Sequence, residues 1–88
     1  MEWHHIVEQC QAKPSRSGFS ISDINTKANV RATPREVHEE ISKYYSSKHD
    51  FTDNKTFREW LTGKSFDEQL QYGIKVWKDK MLEAGYDV

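Results

Sequence analysis

The chain has 88 residues, enough for one small domain, because halves of it would be too short to bury a core of their own. Its formal net charge is −1, so its overall charge gives no drive towards nucleic acid or an anionic membrane surface. Residues 1–88 are therefore predicted to form a single domain, in which three Trp, four Tyr and four Phe supply much of the buried area.

The composition also argues against a membrane segment, a signal peptide and a disulfide. No apolar run approaches the roughly 20 residues that a bilayer-spanning helix needs. The segment Met1–Cys10 carries charged and histidine side chains, unlike a signal peptide. Cys10 is the only cysteine, so no internal disulfide can form and no disulfide partner is expected. A cytoplasmic location without membrane contact is predicted, with Cys10 as a small buried side chain.

The first third of the chain is predicted to contain helices. Apolar residues at helical spacing indicate a helix at about Glu2–Ala12, which Pro14 ends. They are Trp3, Ile6, Val7 and Cys10. Residues 20–30 are ambiguous, since the apolar residues at their start also alternate as in a strand. A short helix capped by Ser20 is favoured, with at most a vestigial strand near residues 18–22.

A further helix is predicted to begin after Thr33. Thr33 and Glu36 have the spacing of a capping box, and Pro34 occupies the first helical position, where its missing N–H is not needed. The residues expected to face the core recur at the helical period. They are Val37, Ile41, Tyr44 and Tyr45.

A short helix is predicted between Phe51 and Gly63. Thr52 or Asp53 can cap its start, and Gly63 can adopt the left-handed conformation that follows many helices. The residues of this helix that are expected to face the core are Phe57, Trp60 and Leu61.

The last helix has the clearest signals in the sequence. Ser65 and Glu68 have the spacing of a capping box, and Gly85 is placed to end the helix. Its predicted core stripe is Phe66, Leu70, Ile74, Trp77 and Met81. Together these elements predict an all-α fold, a small bundle of roughly four or five short helices.

No residue pattern indicates catalysis, a cofactor or a metal. The Gly-Lys-Ser run at residues 63–65 resembles the end of a phosphate-binding loop, but that loop needs a glycine where Arg58 stands and a strand before it. The adjacent His4 and His5 point in different directions on a helix and make a poor metal site. The chain is therefore predicted not to be an enzyme and to have no catalytic, cofactor-binding or metal-ligating residues.

The segment 13–35 is basic, with five cationic side chains against the single carboxylate of Asp23. A short helix, a turn and a longer helix could form a helix-turn-helix, in which the front of the second helix enters the major groove of DNA. Three glutamates at that front oppose contacts with phosphate. Nucleic-acid binding by this segment is the alternative function. The residues that would carry it are Lys27, Arg31 and Arg35.

The last helix carries the main candidate for a partner surface. With Ile74 and Trp77 against the core, an apolar patch lies on the opposite side of the helix, next to two lysines. An aromatic anchor flanked by polar groups is typical of protein-binding surfaces. The main hypothesis is a non-catalytic helical interaction domain that binds a protein partner or forms a homodimer. The predicted partner-binding residues are Tyr72, Lys75, Val76 and Lys78.

The segment Phe51–Leu61, the Gly-Lys-Ser-Phe run at residues 63–66 and the later Trp77 form a pattern of aromatic residues around a turn. Over residues 51–77 this pattern resembles a small uncharacterised bacterial domain that tends to accompany SAP-type DNA-binding helices. The resemblance implies a helical accessory domain near DNA-handling proteins and brings no catalytic residues with it. The chain departs from that domain in a shorter link before residue 63 and has no separate SAP helix pair.

Overall fold

The computed structural model describes residues 1–88 and shows a mostly helical chain with a small sheet. In chain order its elements are β1 (Glu2–His5), α1 (Ile21–Ile24), β2 (Val30–Thr33), α2 (Arg35–Tyr45), α3 (Phe57–Leu61) and α4 (Phe66–Glu83). Short 3₁₀ turns lie at Gln9–Ala12 and Asp50–Thr52. The prediction of a mostly helical fold is confirmed, whereas the all-α class is wrong because the two strands pair in a sheet.

The sheet replaces the first predicted helix. β1 and β2 pair antiparallel, with Glu2 opposite Thr33 at one end of the ladder. Pairing with a strand distant in sequence overrides the helical spacing of the apolar residues, which is a local signal only. The predicted helix at Glu2–Ala12 is therefore wrong. The short helix favoured for residues 20–30 is present as α1, and residues 18–22 hold no strand.

Asn29 ties the end of β1 to the segment before β2. Its side chain is buried, and its Oδ1 accepts a hydrogen bond from the amide of Val7 at 2.6 Å. Its Nδ2 donates to the carbonyl oxygens of Val7 and Ile24 at 3.0 and 2.8 Å. A buried amide that makes these bonds connects the segments around it without leaving a polar group unsatisfied. The predicted cap of α1 is confirmed, since the Ser20 hydroxyl accepts from the amide of Asp23.

α2 begins at Arg35, preceded by Pro34, and has no side-chain cap. The predicted capping box of Thr33 and Glu36 is wrong, because Thr33 is the last residue of β2. Its hydroxyl accepts a hydrogen bond from Trp77 Nε1 at 2.9 Å instead. The predicted core face of α2 is confirmed. Its residues are the buried Val37, Ile41 and Tyr45 and the partly buried Tyr44.

α3 starts with a reciprocal capping box that the sequence reading missed. The hydroxyl of Thr56 accepts from the amide of Glu59, whose carboxylate accepts from the amide of Thr56. The predicted caps Thr52 and Asp53 are therefore wrong, because both belong to the turn before α3. Gly63 follows the end of the helix with a φ of +91°, as expected for a glycine that stops a helix.

α4 starts with the predicted capping box of Ser65 and Glu68, and Gly85 follows its end with a φ of +89°. Its buried residues are Gln69, Gly73, Val76 and Met81. Among them only Met81 belongs to the predicted stripe, whose other members are partly exposed. The buried face is thus rotated from the predicted one, and Val76 faces the core although the sequence placed it on the opposite side.

Gly73 explains this rotation. A Cβ atom at position 73 would lie 2.6 Å from Ile6 Cγ2 and 2.9 Å from both the Ile6 carbonyl oxygen and the Tyr45 hydroxyl. The Tyr45 hydroxyl donates to the same Ile6 carbonyl oxygen at 3.2 Å. The N-terminal segment, α2 and α4 therefore meet at one point that has no room for a side chain. We call this meeting of Ile6, Tyr45 and Gly73 the Gly73 contact.

A charge pair fastens the N-terminal segment to α3. Two guanidinium nitrogens of Arg58 donate to the two carboxylate oxygens of Glu8, each at 2.7 Å. A third nitrogen of Arg58 donates to Ser46 Oγ at 3.1 Å. The hydrogen bonds that Arg58 donates to the Glu8 carboxylate raise the pKa of Arg58. A bidentate pair of this kind fixes the relative orientation of the two segments.

Replacing Gly73 with alanine is expected to lower the free energy of unfolding by about 1–3 kcal/mol, because the added methyl group overpacks against a backbone oxygen. Urea unfolding followed by circular dichroism measures the change. Gln71→Ala, at an exposed position of the same helix, should stay within about 0.5 kcal/mol of the wild type. Alanine is the better helix former by about 1 kcal/mol, so a stabilised Gly73→Ala variant would contradict the close contact.

Candidate functional site

An open groove with aromatic walls lies between α2, the turn at Asp50–Thr52 and α4. Its volume is about 260 Å³. The residues that line it, which define the aromatic groove, are Tyr44, Phe51, Phe57, Tyr72, Lys75, Val76 and Asp79. The groove joins the predicted partner-binding residues of α4 to aromatic residues of other elements.

The Gly73 contact sets the two opposite walls of the groove. Tyr44 precedes Tyr45 on α2, and Tyr72 precedes Gly73 on α4, so the close approach of Tyr45 to Gly73 brings both neighbours to the same side of the molecule. Val76 forms part of the floor and is 6 % exposed. The position of the groove therefore follows from the packing of the core.

The turn between α2 and α3 supplies Phe51, the third wall. In this turn the Thr52 hydroxyl accepts a hydrogen bond from the amide of His49 at 2.9 Å and donates one to the His49 carbonyl oxygen at 2.8 Å. Asp53 and Asn54 then adopt left-handed φ angles of 57 and 68°, which suit short polar side chains. This turn holds the ring of Phe51 at the surface, where it is 51 % exposed.

The aromatic rings pack against one another around Trp60. The ring centroid of Trp60 lies 5.2 Å from that of Phe51 and 5.0 Å from that of Tyr72, both with edge-to-face geometry. Phe57 stacks on Trp60 at 5.8 Å and meets Tyr44 edge to face at 5.0 Å. Ring pairs at these separations attract one another, so the walls form a connected aromatic surface.

Charged side chains stand at the edge of the aromatic groove. Lys75 and Asp79 line it, and Lys64 Nζ lies 4.2 Å from the ring centroid of Trp60. We call Lys75, which lines the groove, and Lys64, which covers the neighbouring Trp60, the lysine rim. Burial raises the pKa of Tyr44 and the nearby carboxylate of Asp79 adds to the effect, so the Tyr44 hydroxyl stays protonated.

The predicted partner-binding residues are only partly brought together. Tyr72 is 41 % exposed and lines the groove beside Lys75. Val76 lies in the floor with most of its surface in the core, so its prediction as an exposed contact is corrected. Lys78 is exposed on α4 outside the groove lining.

Sequence reasoning missed four of the seven groove residues as site residues. Tyr44 and Phe57 were assigned to the core, and Asp79 was assigned no role. Phe51 was placed only before the short helix and in the aromatic pattern of residues 51–77, although an aromatic side chain just before a polar turn is a signal for an exposed ring. Their assembly depends on contacts between elements, which helical spacing within one element does not report.

The basic residues of the alternative function do not form one surface. Arg31 packs its guanidinium 4.9 Å from the ring centroid of Trp77. Its strand neighbour Val30 points to the other face of the sheet, where Lys27 lies. Arg35 lies between carboxylates, 3.9 Å from that of Glu2 and 3.4 Å from that of Glu39.

A second, smaller cleft contains histidines between β1 and α2. The ring of His4 is 6 % exposed, and its Nε2 has no hydrogen-bond partner. His38 meets it edge to face at 5.2 Å and places its Nδ1 3.5 Å from the carboxylate of Glu2. Burial, with smaller contributions from His38 and His5, lowers the pKa of His4 to about 4. No group of three or more metal-ligating side chains is present.

The buried His4 is expected to make the fold acid-sensitive. Its pKa is about 4 in the folded chain against an ordinary value of 6.5, so the unfolded chain binds more protons between these values. This histidine's contribution is complete above the ordinary pKa and falls as the pH drops towards 4. By linkage the loss is about 2 kcal/mol at about pH 5.

His4→Leu should reduce this loss of stability with acid, which chemical unfolding at a series of pH values measures. His5→Leu is the comparison, because it removes only a smaller contribution to the lowered pKa of His4 and leaves the burial that dominates it, so most of the acid loss should remain. Equal pH profiles for the wild type and His4→Leu would contradict the buried neutral state of His4.

Comparisons with known proteins add no functional assignment. No protein-family model matches the chain, and searches of curated proteins and of solved structures find no match. The resemblance of residues 51–77 to the SAP-associated bacterial domain therefore stays a prediction. None of the helices combines the length and the apolar character that crossing a membrane requires.

Proposed function

We propose that the chain is a non-catalytic interaction domain whose aromatic groove receives an apolar side chain of a protein partner. The observation that carries the proposal is the exposure of two large aromatic rings, Phe51 and Tyr72, at 51 % and 41 %, across one groove. Exposed aromatic rings around a recess are the usual setting of a binding anchor.

The size of the groove favours a side chain over a small-molecule ligand. Its volume of about 260 Å³ lies below the range of about 300–1,000 Å³ that is usual for cofactor and drug-sized ligands. One or two apolar side chains of a partner fill such a recess. The remaining contacts would then lie on the polar edge formed by Lys75 and Asp79.

The proposal predicts that a random peptide library displayed on phage and selected on the domain yields peptides with a large apolar anchor. Phe51→Ser or Tyr72→Ser should weaken their binding about 30-fold or more, the effect of removing an anchor that contributes about 2 kcal/mol. Leu82→Ser is the matched control, because Leu82 is 57 % exposed on the same helix but does not line the groove.

Selected peptides that bind all three variants as tightly as the wild type would contradict the proposal, as would a failure to select any binder. Sedimentation velocity of the wild type distinguishes a separate partner from a second copy. A dimer that Tyr72→Ser dissociates would assign the groove to self-association.

Nucleic-acid binding remains the alternative, and the positions of its residues disfavour it. With Arg31 stacked on Trp77 and Arg35 between carboxylates, we expect duplex DNA to bind weakly in a fluorescence titration at low salt. Tight binding that falls steeply with salt would contradict this expectation. Its loss in the variant that changes Lys27, Arg31 and Arg35 together to glutamate would restore the basic segment as the functional surface.

A further inference from the structure

We propose that the aromatic groove binds an acidic peptide segment, in which one large apolar side chain enters the groove and flanking carboxylates contact the lysine rim. This inference rests on the proposed function and names the chemistry of the partner. Three features of the groove and its border carry it: the hydrogen-bond donors, the unpaired charges, and the cations that already cover Tyr44 and Trp60.

Two tyrosines of the groove lining, and Trp60 packed beside the groove, have hydrogen-bond donors without a partner in the chain. The hydroxyls of Tyr44 and Tyr72 and the Nε1 of Trp60 make no hydrogen bond within the molecule. Other packed aromatic residues, by contrast, donate hydrogen bonds within the chain. Tyr45 donates to the Ile6 carbonyl, Trp77 to the Thr33 hydroxyl and Tyr86 to the Glu36 carboxylate. An occupant that supplies acceptors, such as carboxylates and free backbone carbonyls, satisfies these donors.

The charges at the edge are complementary to an anionic segment. Lys64 and Lys75 form no ion pair within the chain, whereas Lys80 pairs with Glu83 at 3.2 Å. Asp79 is the only carboxylate in the groove lining. The lining itself carries one lysine and one aspartate, and Lys64 adds a second ammonium group beside the groove, over Trp60. Opposite charge on a partner would gain attraction and orientation from this excess.

The same lysines disfavour a cationic ligand. Aromatic faces attract ammonium groups, and an aromatic groove could in principle hold a methylated amine. Here Lys64 already covers Trp60 at 4.2 Å, and Lys80 Nζ lies 5.5 Å from the ring centroid of Tyr44. A second cation at these faces would meet like charge at close range, which leaves an acidic segment as the better match.

Fluorescence polarisation with short labelled peptides tests the inference. Each peptide carries a leucine–tryptophan pair with two residues on either side and blocked ends. The flanking residues are glutamate, glutamine or lysine. A fourth peptide has alanines in place of the apolar pair, and a fifth is a proline-rich segment of equal length. We expect the glutamate peptide to bind at least about tenfold tighter than the glutamine peptide, and the lysine and alanine peptides to bind most weakly.

Charge reversal on the protein assigns the effect to the rim. Lys75→Glu should weaken the glutamate peptide about tenfold or more and strengthen the lysine peptide. Lys78→Glu makes the same change of net charge on the same helix, outside the groove, and should change either affinity by less than about threefold. Thermal unfolding checks that both variants fold, which their exposed positions favour.

The outcomes separate this inference from the proposed function. Binding of the glutamine, lysine or proline-rich peptide as tightly as the glutamate peptide, and dependent on Tyr72, overturns the acidic chemistry and leaves the interaction groove in place. Equal effects of Lys75→Glu and Lys78→Glu show unspecific attraction and also overturn it. If no peptide binds, or if Tyr72→Ser leaves the affinity unchanged, both the acidic chemistry and the role of the groove as a binding site are overturned.

Discussion

The close contact of Ile6, Tyr45 and Gly73 is the constraint on which the rest of the structure depends. It brings the segment after β1, the end of α2 and the middle of α4 to one point, where the Tyr45 hydroxyl donates to the Ile6 carbonyl oxygen at 3.2 Å. Because Gly73 has no Cβ, α4 can approach this point closely and turn its face with Gln69, Gly73 and Val76 inward. The Gly73 contact thus decides which residues of the longest helix remain outside.

The aromatic groove is a consequence of that constraint. Tyr44 and Tyr72 are the sequence neighbours of Tyr45 and Gly73, and they stand on opposite walls because the two inner residues touch. The chain leaves these rings half-exposed and surrounds them with donors and lysines, so the surface is apolar at its centre and polar at its edge. Interfaces that bind through one anchor have this arrangement. Binding chemistry and core packing are therefore linked through adjacent residues.

Local signals in the sequence predicted local structure well and tertiary structure poorly. The capping box of Ser65 and Glu68 depends on four consecutive residues and was predicted correctly. The same spacing at Thr33 failed, because pairing with β1 places that residue in a strand and its hydroxyl accepts from Trp77. The groove was half predicted, through Tyr72 and Lys75. Phe51 and Asp79 join it only when separate elements pack together, and no periodicity within one helix reports such contacts.

The most direct test of the account is nuclear magnetic resonance mapping of the ¹⁵N-labelled chain with the glutamate-flanked leucine–tryptophan peptide. We predict that the amide shifts change most around Tyr44, Phe51, Tyr72 and Lys75. The amide signals near Gly73 should shift over the same range of peptide concentration. Changes centred on the basic segment 27–35 or on the exposed Trp3 would contradict the account, since they would place the binding surface away from the aromatic groove.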